Sequence, residues 1–278
     1  MKNNYHTHTT YCDGKEEMSQ MVERAIYLGF NHLGFSSHAP IEKDNNFSIK
    51  EEKIPDYIKE IEFHQVHNPN IQLFKGLECD FIPGLTKPFT YFKDTYKLDF
   101  IIGGIHLVNS GIDNQLWFID GSKQQIYDDG LAQLFQNNIK KAVTCFWEQT
   151  FEMIETQPFD IIAHIDKIKM HNRGRFFKEE EPWYKDLVIK AIDLLYHKNR
   201  IVEINSRGLY KKRCDHFYPS DFIIQKVAKK GIPMVISSDA HKSEELDLFY
   251  NEAVAKLKQF GISNVVYWSS DGWKETAI

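Results

Sequence analysis

Short apolar runs alternate along this chain with stretches of helical spacing, and most of the runs end in a metal-binding side chain. The runs cover residues 4–7, 32–36, 73–79, 100–105, 159–163, 201–204 and 233–237. That alternation marks βα units, which build parallel sheets. His6-Thr7-His8 closes the first run, and Asp239-Ala240-His241 follows the seventh. His38 follows the second, Glu78 ends the third, His106 ends the fourth and His164 ends the fifth; Asp13 lies in the loop after the first. In a barrel of parallel strands the carboxyl ends all open on one face, so side chains distant in sequence converge there. The pattern predicts an α/β barrel with nine imidazoles and carboxylates at its mouth.

The helices are legible between the runs. Met18, Met21, Val22, Ala25 and Ile26 repeat at helical spacing over residues 17–28, and Gly29 stands where a C-cap belongs. Residues 183–197 place Val188, Ala191, Ile192 and Leu195 on one face. Ser220-Asp221 caps a helix that runs through Lys230 and stops at Gly231. Residues 264–268 form a further run, either an eighth strand or an edge element. Residues 109–130 have weak periodicity and read as a long excursion, part of a substrate pocket. With no repeat or linker, residues 1–278 read as a single domain.

Composition narrows the function. The 278 residues are 42% hydrophobic, enough for one sizeable core. Thirty-four basic and 39 acidic residues give a net charge of −5, which argues against a dedicated nucleic-acid binder. The amino terminus lacks a secretory apolar stretch, and no run approaches the roughly 18 residues of a membrane span. The expected compartment is the cytoplasm. Cys12, Cys79, Cys145 and Cys214 form neither a Cys-x-x-Cys pair nor a disulfide framework. Cys12 and Cys79 stand beside ligand candidates, but oxygen and nitrogen donors suffice and the thiols read as small buried side chains.

His32, His64, His67, His171, His197 and His216 read as ordinary surface or core residues. The other six histidines differ because their positions are correlated with strand ends. Two imidazoles in an HxH reach similar heights only if the backbone bends, and the following Thr-Thr-Tyr-Cys-Asp-Gly supplies a loop. An unpaired Glu78 carboxylate would be costly to bury, and a cation removes that cost. Imidazole and carboxylate donors suit zinc, iron or manganese better than calcium.

The sequence resembles the polymerase-and-histidinol-phosphatase (PHP) superfamily. The motifs that carry the resemblance are Tyr-His-Thr-His with Asp13, Gly-Leu-Glu-Cys-Asp around Glu78, Gly-Gly-Ile-His ending at His106, Ala-His-Ile-Asp at His164, and Ser-Ser-Asp-Ala-His ending at His241. The resemblance implies a distorted (β/α)7 TIM-like barrel with three divalent transition-metal ions. By it, His6, His8, Glu78 and Asp239 would hold one ion, Glu78, His106 and His164 a second, and Asp13, His38 and His241 a third. Gly-Phe-Ser-Ser-His-Ala-Pro (34–40), Glu-Ile-Asn-Ser-Arg-Gly-Leu-Tyr followed by Tyr-Pro-Ser (203–220), and Ser-Ser-Asp-Ala-His (237–241) resemble the monofunctional histidinol-phosphatase branch. Two positions depart from that branch: Lys169 stands where it often has arginine, and Tyr210 where it often has a basic residue.

The expected chemistry is hydrolysis of a small-molecule phosphate ester by attack of a metal-bound hydroxide on phosphorus. Glu78, Asp239 and His241 are the catalytic candidates, with His241 or a water on the third ion protonating the leaving group. Arg207 is the candidate phosphate clamp, because its planar fork matches phosphate oxygens, and Lys169 is a second candidate contact. Arg207 also reads as a surface salt bridge. The basic run Lys211-Lys212-Arg213 is either a solvated loop or a lure for anions, and Trp117 and Phe118 either line the pocket or pack locally. The branch resemblance implies cleavage of L-histidinol phosphate in histidine biosynthesis. Rival readings are a phosphotyrosine phosphatase, a 3′–5′ exonuclease, or a non-catalytic metal-dependent binding module. No nucleic-acid or membrane partner is expected, and the oligomeric state is left open.

Overall fold

A computed structural model of the chain describes residues 1–43, 45–112 and 115–278. Its strands are β1 (Asn3–Asn4), β2 (His32–Phe35), β3 (Gln72–Asp80), β4 (Phe100–Gly104), β5 (Leu107–Asn109), β6 (Leu116–Phe118), β7 (Ile161–Ile162), β8 (Ile201–Asn205), β9 (Met234–Ser237), β10 (Asn264–Ser269) and β11 (Gly272–Ala277). Seven of them form one sheet in the order β1-β2-β3-β4-β7-β8-β9, every neighbouring pair parallel. A parallel bridge between Thr7 and Ala240 brings the two ends of that sheet together, with the His8 amide donating to the Ala240 carbonyl at 2.8 Å. The result is the nearly closed, distorted barrel that the sequence pattern predicts.

Helices pack on the outside and run between the strands. They are α1 (Met18–Tyr27), α2 (Ile54–His67), α3 (Phe89–Tyr96), α4 (Gln124–Phe135), α5 (Ile139–Thr156), α6 (Pro182–His197), α7 (Arg207–Tyr210), α8 (Asp221–Lys230) and α9 (Tyr250–Gln259). In α1 the apolar stripe of Met18, Met21, Val22 and Ala25 is buried, and the Glu17 amide is satisfied by Gln20 Oε1 at 3.0 Å. Ser220 occupies the N-cap of α8, but its hydroxyl makes no cap bond; its amide instead donates to Asp166 Oδ2 at 2.9 Å. Among the described residues no helix is long and apolar enough to cross a membrane.

Two strand runs are shorter in the ladder than the sequence suggests, and both stop where the backbone turns toward the barrel mouth. After Asn4, side chains take over the pairing: the His6 amide donates to Asn4 Oδ1 at 3.0 Å and the Thr7 amide to Ser36 Oγ at 3.1 Å. After Ile162, His164 adopts φ 24°, and its amide donates to Glu203 Oε2 at 2.8 Å. The excursion over 109–130 contains more order than its periodicity shows. Leu107–Asn109 and Leu116–Phe118 pair as an antiparallel hairpin, and α4 begins at Gln124; Asp113 and Asn114 of that segment lie outside the described residues. Trp117 is fully buried and donates to the Tyr127 carbonyl at 2.9 Å, so it packs locally.

The run at 264–268 is not an eighth barrel strand. It forms β10, which pairs antiparallel with β11 in a separate hairpin. That hairpin packs its Val266, Trp268 and Trp273 against barrel residues Tyr5, Phe74, Phe100 and Val235, away from the ligand candidates. The Trp268 amide donates to Tyr5 Oη at 2.7 Å. In this layer the Phe100 ring lies against Gly34 and Gly76 on neighbouring strands; a Cβ on Gly76 would stand 2.3 Å from the ring. Gly76→Ala should therefore overpack the barrel and destabilise it by about 1–3 kcal/mol. Urea denaturation checks this: a lower midpoint at unchanged slope is expected, and an unmoved midpoint would contradict the packing argument.

Candidate metal centre

The barrel mouth gathers all nine ligand candidates. His6 and His8 leave β1, Asp13 lies in the next loop, and His38 follows β2 and bridges to Glu78 on β3. His106 follows β4, His164 follows β7, and Asp239 and His241 follow β9. Two of these turns are held in the left-handed region, at His164 (φ 24°) and Asp239 (φ 54°). Such conformations persist for non-glycine residues only when surrounding contacts impose them. Here the Arg207 guanidinium and Tyr210 Oη both donate to the Asp239 carbonyl, at 2.5 and 3.1 Å.

Glu78 is the hub. Its Oε1 lies 3.1 Å from His164 Nε2 and 3.3 Å from His106 Nε2. Its Oε2 lies 3.1 Å from His6 Nε2, 3.1 Å from His38 Nδ1 and 3.5 Å from His8 Nε2. Asp239 Oδ1 is 3.5 Å from His8 Nε2, while Asp13 Oδ1 is 3.1 Å from His241 Nε2 and 3.7 Å from His38 Nε2. Ligands bound at about 2.0–2.2 Å around a tetrahedral ion stand roughly 3.3–3.6 Å from one another, and the spacings here, from 3.1 to 3.7 Å, bracket that value. His6 Nε2, His8 Nε2, Asp13 Oδ1 and Glu78 Oε2 are also buried with no hydrogen-bond partner among the described residues. Buried polar atoms are rarely left so, and a divalent cation shared among them removes the penalty. The donor set therefore fits a metal.

Protonation divides the donors: the carboxylates and some of the imidazoles are held ready for ligation, and other imidazoles must first lose a proton. Burial would push Glu78 up, but His6, His38 and His106 hold it well below the usual carboxylate range. Burial opposes ionisation of Asp239 too, and Arg207 and His6 outweigh it. Burial lowers His38 to about 3, and burial with His8 and Arg207 beside it lowers His241 to about 4, so both imidazoles keep free lone pairs at neutral pH. His6, His8 and His106 go the other way: burial alone would lower them, but Glu78, Glu203 and Asp239 raise His6 well above its ordinary value, Cys12 and Asp239 raise His8 to about 9, and Asp120 and Glu78 raise His106 well above its ordinary value.

Several residues at this site escape a reading based on strand ends. Glu203 on β8 accepts the His164 amide and stands 2.6 Å from His6 Nδ1, so it orients one imidazole and fixes the turn of another. Asp80 accepts the His106 amide at 3.0 Å. The available signal is a carboxylate inside an apolar run, as in Ile-Val-Glu-Ile-Asn, because burial demands a partner for it. Cys12 Sγ lies 3.4 Å from His8 Nδ1, whereas Cys79 is core. His32 is a core residue, its Nδ1 3.0 Å from Tyr5 Oη.

Beside the cluster lies a cavity of about 360 Å³. His106, Asp239 and His241 line one part of it, and Phe47 and Phe118, stacked at 6.1 Å and 24°, line another. Arg207 reaches this cavity, 12% exposed and 3.7 Å from Asp239 Oδ1. Lys169 does not reach it: the ammonium sits 2.6 Å from Asp166 Oδ2 and 3.7 Å from Glu179 Oε1 and lines a neighbouring cavity, because in the tight Lys167–Lys169 turn side chains step by about 120° per residue and those two apart diverge. Lys167 lines the metal-side cavity in its place. Of the basic run, Arg213 touches both cavities and Lys211 pairs with Glu245.

Comparison with known proteins agrees with this geometry. A family profile described as PHP domain matches residues 4–207. Histidinol-phosphatase of Bacillus subtilis strain 168 is 23% identical over 273 residues, covering 90% of this chain and 97% of that protein. The DNA polymerase/3′-5′ exonuclease PolX of the same organism is 23% identical, covering 99% of this chain but 38% of that protein. A crystal structure of histidinol phosphate phosphatase from Lactococcus lactis, complexed with zinc, L-histidinol and phosphate, superposes with a TM-score of 0.74 at 18% identity, covering 98% of each chain. At that identity the likeness shows a shared fold.

Two outcomes follow from the cluster. Glu203→Gln should weaken metal binding by about 10–100-fold while leaving the direct donors in place, measured by chelator competition; unchanged affinity would contradict an orienting role. Because His6 carries its proton at neutral pH in the metal-free protein, zinc uptake there should release protons, and affinity should fall as pH falls. A pH-stat titration reads this, and uptake without proton release would contradict it.

Proposed function

The chain belongs to the PHP domain family, and from that membership we propose that it is a histidinol-phosphatase, hydrolysing L-histidinol phosphate to L-histidinol and inorganic phosphate. The observation that carries this reading is a nine-donor cluster opening onto a cavity with the Phe47–Phe118 aromatic wall. A phosphomonoester with a planar ring fits such a cavity: its charged head meets the cluster and its ring meets the wall. The names of the Bacillus subtilis and Lactococcus lactis proteins support the same substrate.

In this reading His6, His8, Glu78 and Asp239 would hold one divalent ion, Glu78, His106 and His164 a second, and Asp13, His38 and His241 a third. Zinc, iron and manganese all suit these donors. Such ions would supply a water acidic enough to ionise near neutral pH and positive charge against that building on the phosphoryl group. The chain's own residues set the rest. Glu78 turns Oε1 toward His106 and His164 and Oε2 toward His6 and His8, so it would contribute to both of those sites. Glu203 fixes the His6 imidazole, and Arg207 with Tyr210 braces the turn that presents Asp239. Hydrolysis forms a bond from water oxygen to phosphorus, breaks the bond to the alcohol oxygen and delivers a proton there. In the overall balance that proton comes from the attacking water; His241 lines the cavity but is neutral and, as a proposed metal ligand, has no acidic proton of its own to give.

A substrate panel tests the assignment. Histidinol phosphate should be turned over with a higher kcat/KM than phosphotyrosine peptide or p-nitrophenyl phosphate, single-stranded DNA should stay intact, and chelation should abolish activity. No preference for histidinol phosphate would remove the assignment. Glu78→Gln should lower kcat on the order of 10³-fold, while Phe118→Ala should raise KM for histidinol phosphate more than for glycerol phosphate. Equal KM changes on both substrates would show that the aromatic wall does not bind the ring.

A further inference from the structure

Lys167 lies three residues past His164, on the short turn Lys167–Lys169 that follows β7. It is 3% exposed and lines the cavity beside the donor cluster. Lysine is rarely buried to this degree without partners, and its ammonium carries three N–H donors. None of them makes a hydrogen bond to a described residue. Asp120 Oδ2 stands 3.4 Å away and Asp239 Oδ2 3.8 Å away, and the Tyr218 ring lies 5.4 Å from the ammonium. The ammonium is thus held between two carboxylates by charge, at longer range than Asp166 holds Lys169. One of those carboxylates, Asp239, is among the proposed metal donors. Its charge is shared when an ion is held, and Lys167 then faces a local excess of positive charge that an anion would relieve.

Arg213 also lines this cavity but is only half-buried, whereas Lys167 is the most deeply buried cation on it; the others nearby are committed or exposed. Arg207 donates to the Asp239 carbonyl and to Tyr210 Oη. Lys169 is paired with Asp166 on the far side of its turn, and Lys15 is exposed at the cavity rim. We propose that the Lys167 ammonium binds the non-bridging oxygens of the substrate's phosphoryl group, with Asp120 holding the ammonium in position. The assignment rests on the phosphomonoesterase reading of this site. It gives the anion contact to a side chain two residues from Lys169 on the same turn, one that lines the metal-side cavity where Lys169 lines its neighbour.

The test is binding of inorganic phosphate to the metal-loaded protein, measured by calorimetry alongside metal content and unfolding midpoint. Lys167→Met should keep the metal content and weaken phosphate binding by about 10–100-fold, the loss expected for removing a charge-assisted hydrogen bond. It should lower kcat/KM by a similar factor for histidinol phosphate and p-nitrophenyl phosphate alike. Lys167→Arg should recover part of both losses, and methylammonium should recover part of them in Lys167→Ala, which keeps the assay informative if the methionine variant does not fold. Unchanged phosphate affinity in a folded, metal-loaded variant would overturn the proposal. Loss of metal would overturn it too, by making Lys167 a support for the cluster. A loss confined to alkyl phosphates would also do so, by making it a proton donor. If the unsubstituted protein neither binds phosphate nor cleaves any phosphomonoester, the reading of the site fails instead.

Discussion

The site depends on one buried carboxylate. Glu78 is 1% exposed, and five imidazoles stand within 3.5 Å of its two oxygens. A carboxylate taken out of water in this way destabilises a fold unless opposite charge and hydrogen bonds surround it. Protonated imidazoles supply part of that charge, and divalent ions at the spacing found here supply it fully. The barrel is what permits the arrangement. No single loop holds nine donors around one point, whereas parallel strands deliver them from all sides to the same height. Apolar packing at the other end of the barrel, through Phe100, Tyr5 and the β10–β11 hairpin, leaves the mouth free to be polar.

Around the hub, supporting contacts act on backbone as much as on side chains. Glu203 accepts an amide at the His164 turn, Asp80 accepts one at His106, and Arg207 with Tyr210 braces the Asp239 carbonyl. Each contact holds a strand end in a conformation that regular pairing would not give. Tyr210 takes part through its hydroxyl, which shares the task of Arg207 in fixing a strained turn.

Seven barrel strands were legible in the sequence because each is an apolar run bounded by turn residues, and the ligand candidates because they recur at the carboxyl ends of those runs. The features that escaped share a physical origin. Residues 264–268 have the composition of a strand, but composition does not say which sheet a strand joins, and here a second strand immediately follows to make a hairpin. The hairpin at β5–β6 is too short for periodicity to reveal. Lys167 and Lys169 are indistinguishable as letters; the direction of a tight turn separates them, sending one ammonium to the metal-side cavity and the other to Asp166. Glu203 was visible as an acid in an apolar run, but its partner is 197 positions away.

The central claim is that the nine donors share metal ions, and anomalous X-ray scattering from a crystal of protein purified without added metal tests it most directly. The account predicts anomalous peaks among these side chains, at about 2.0–2.3 Å from their donor atoms, with Glu78 contacting more than one of them. A well-ordered crystal with metal supplied in excess, showing no anomalous peak inside the barrel mouth, would contradict it.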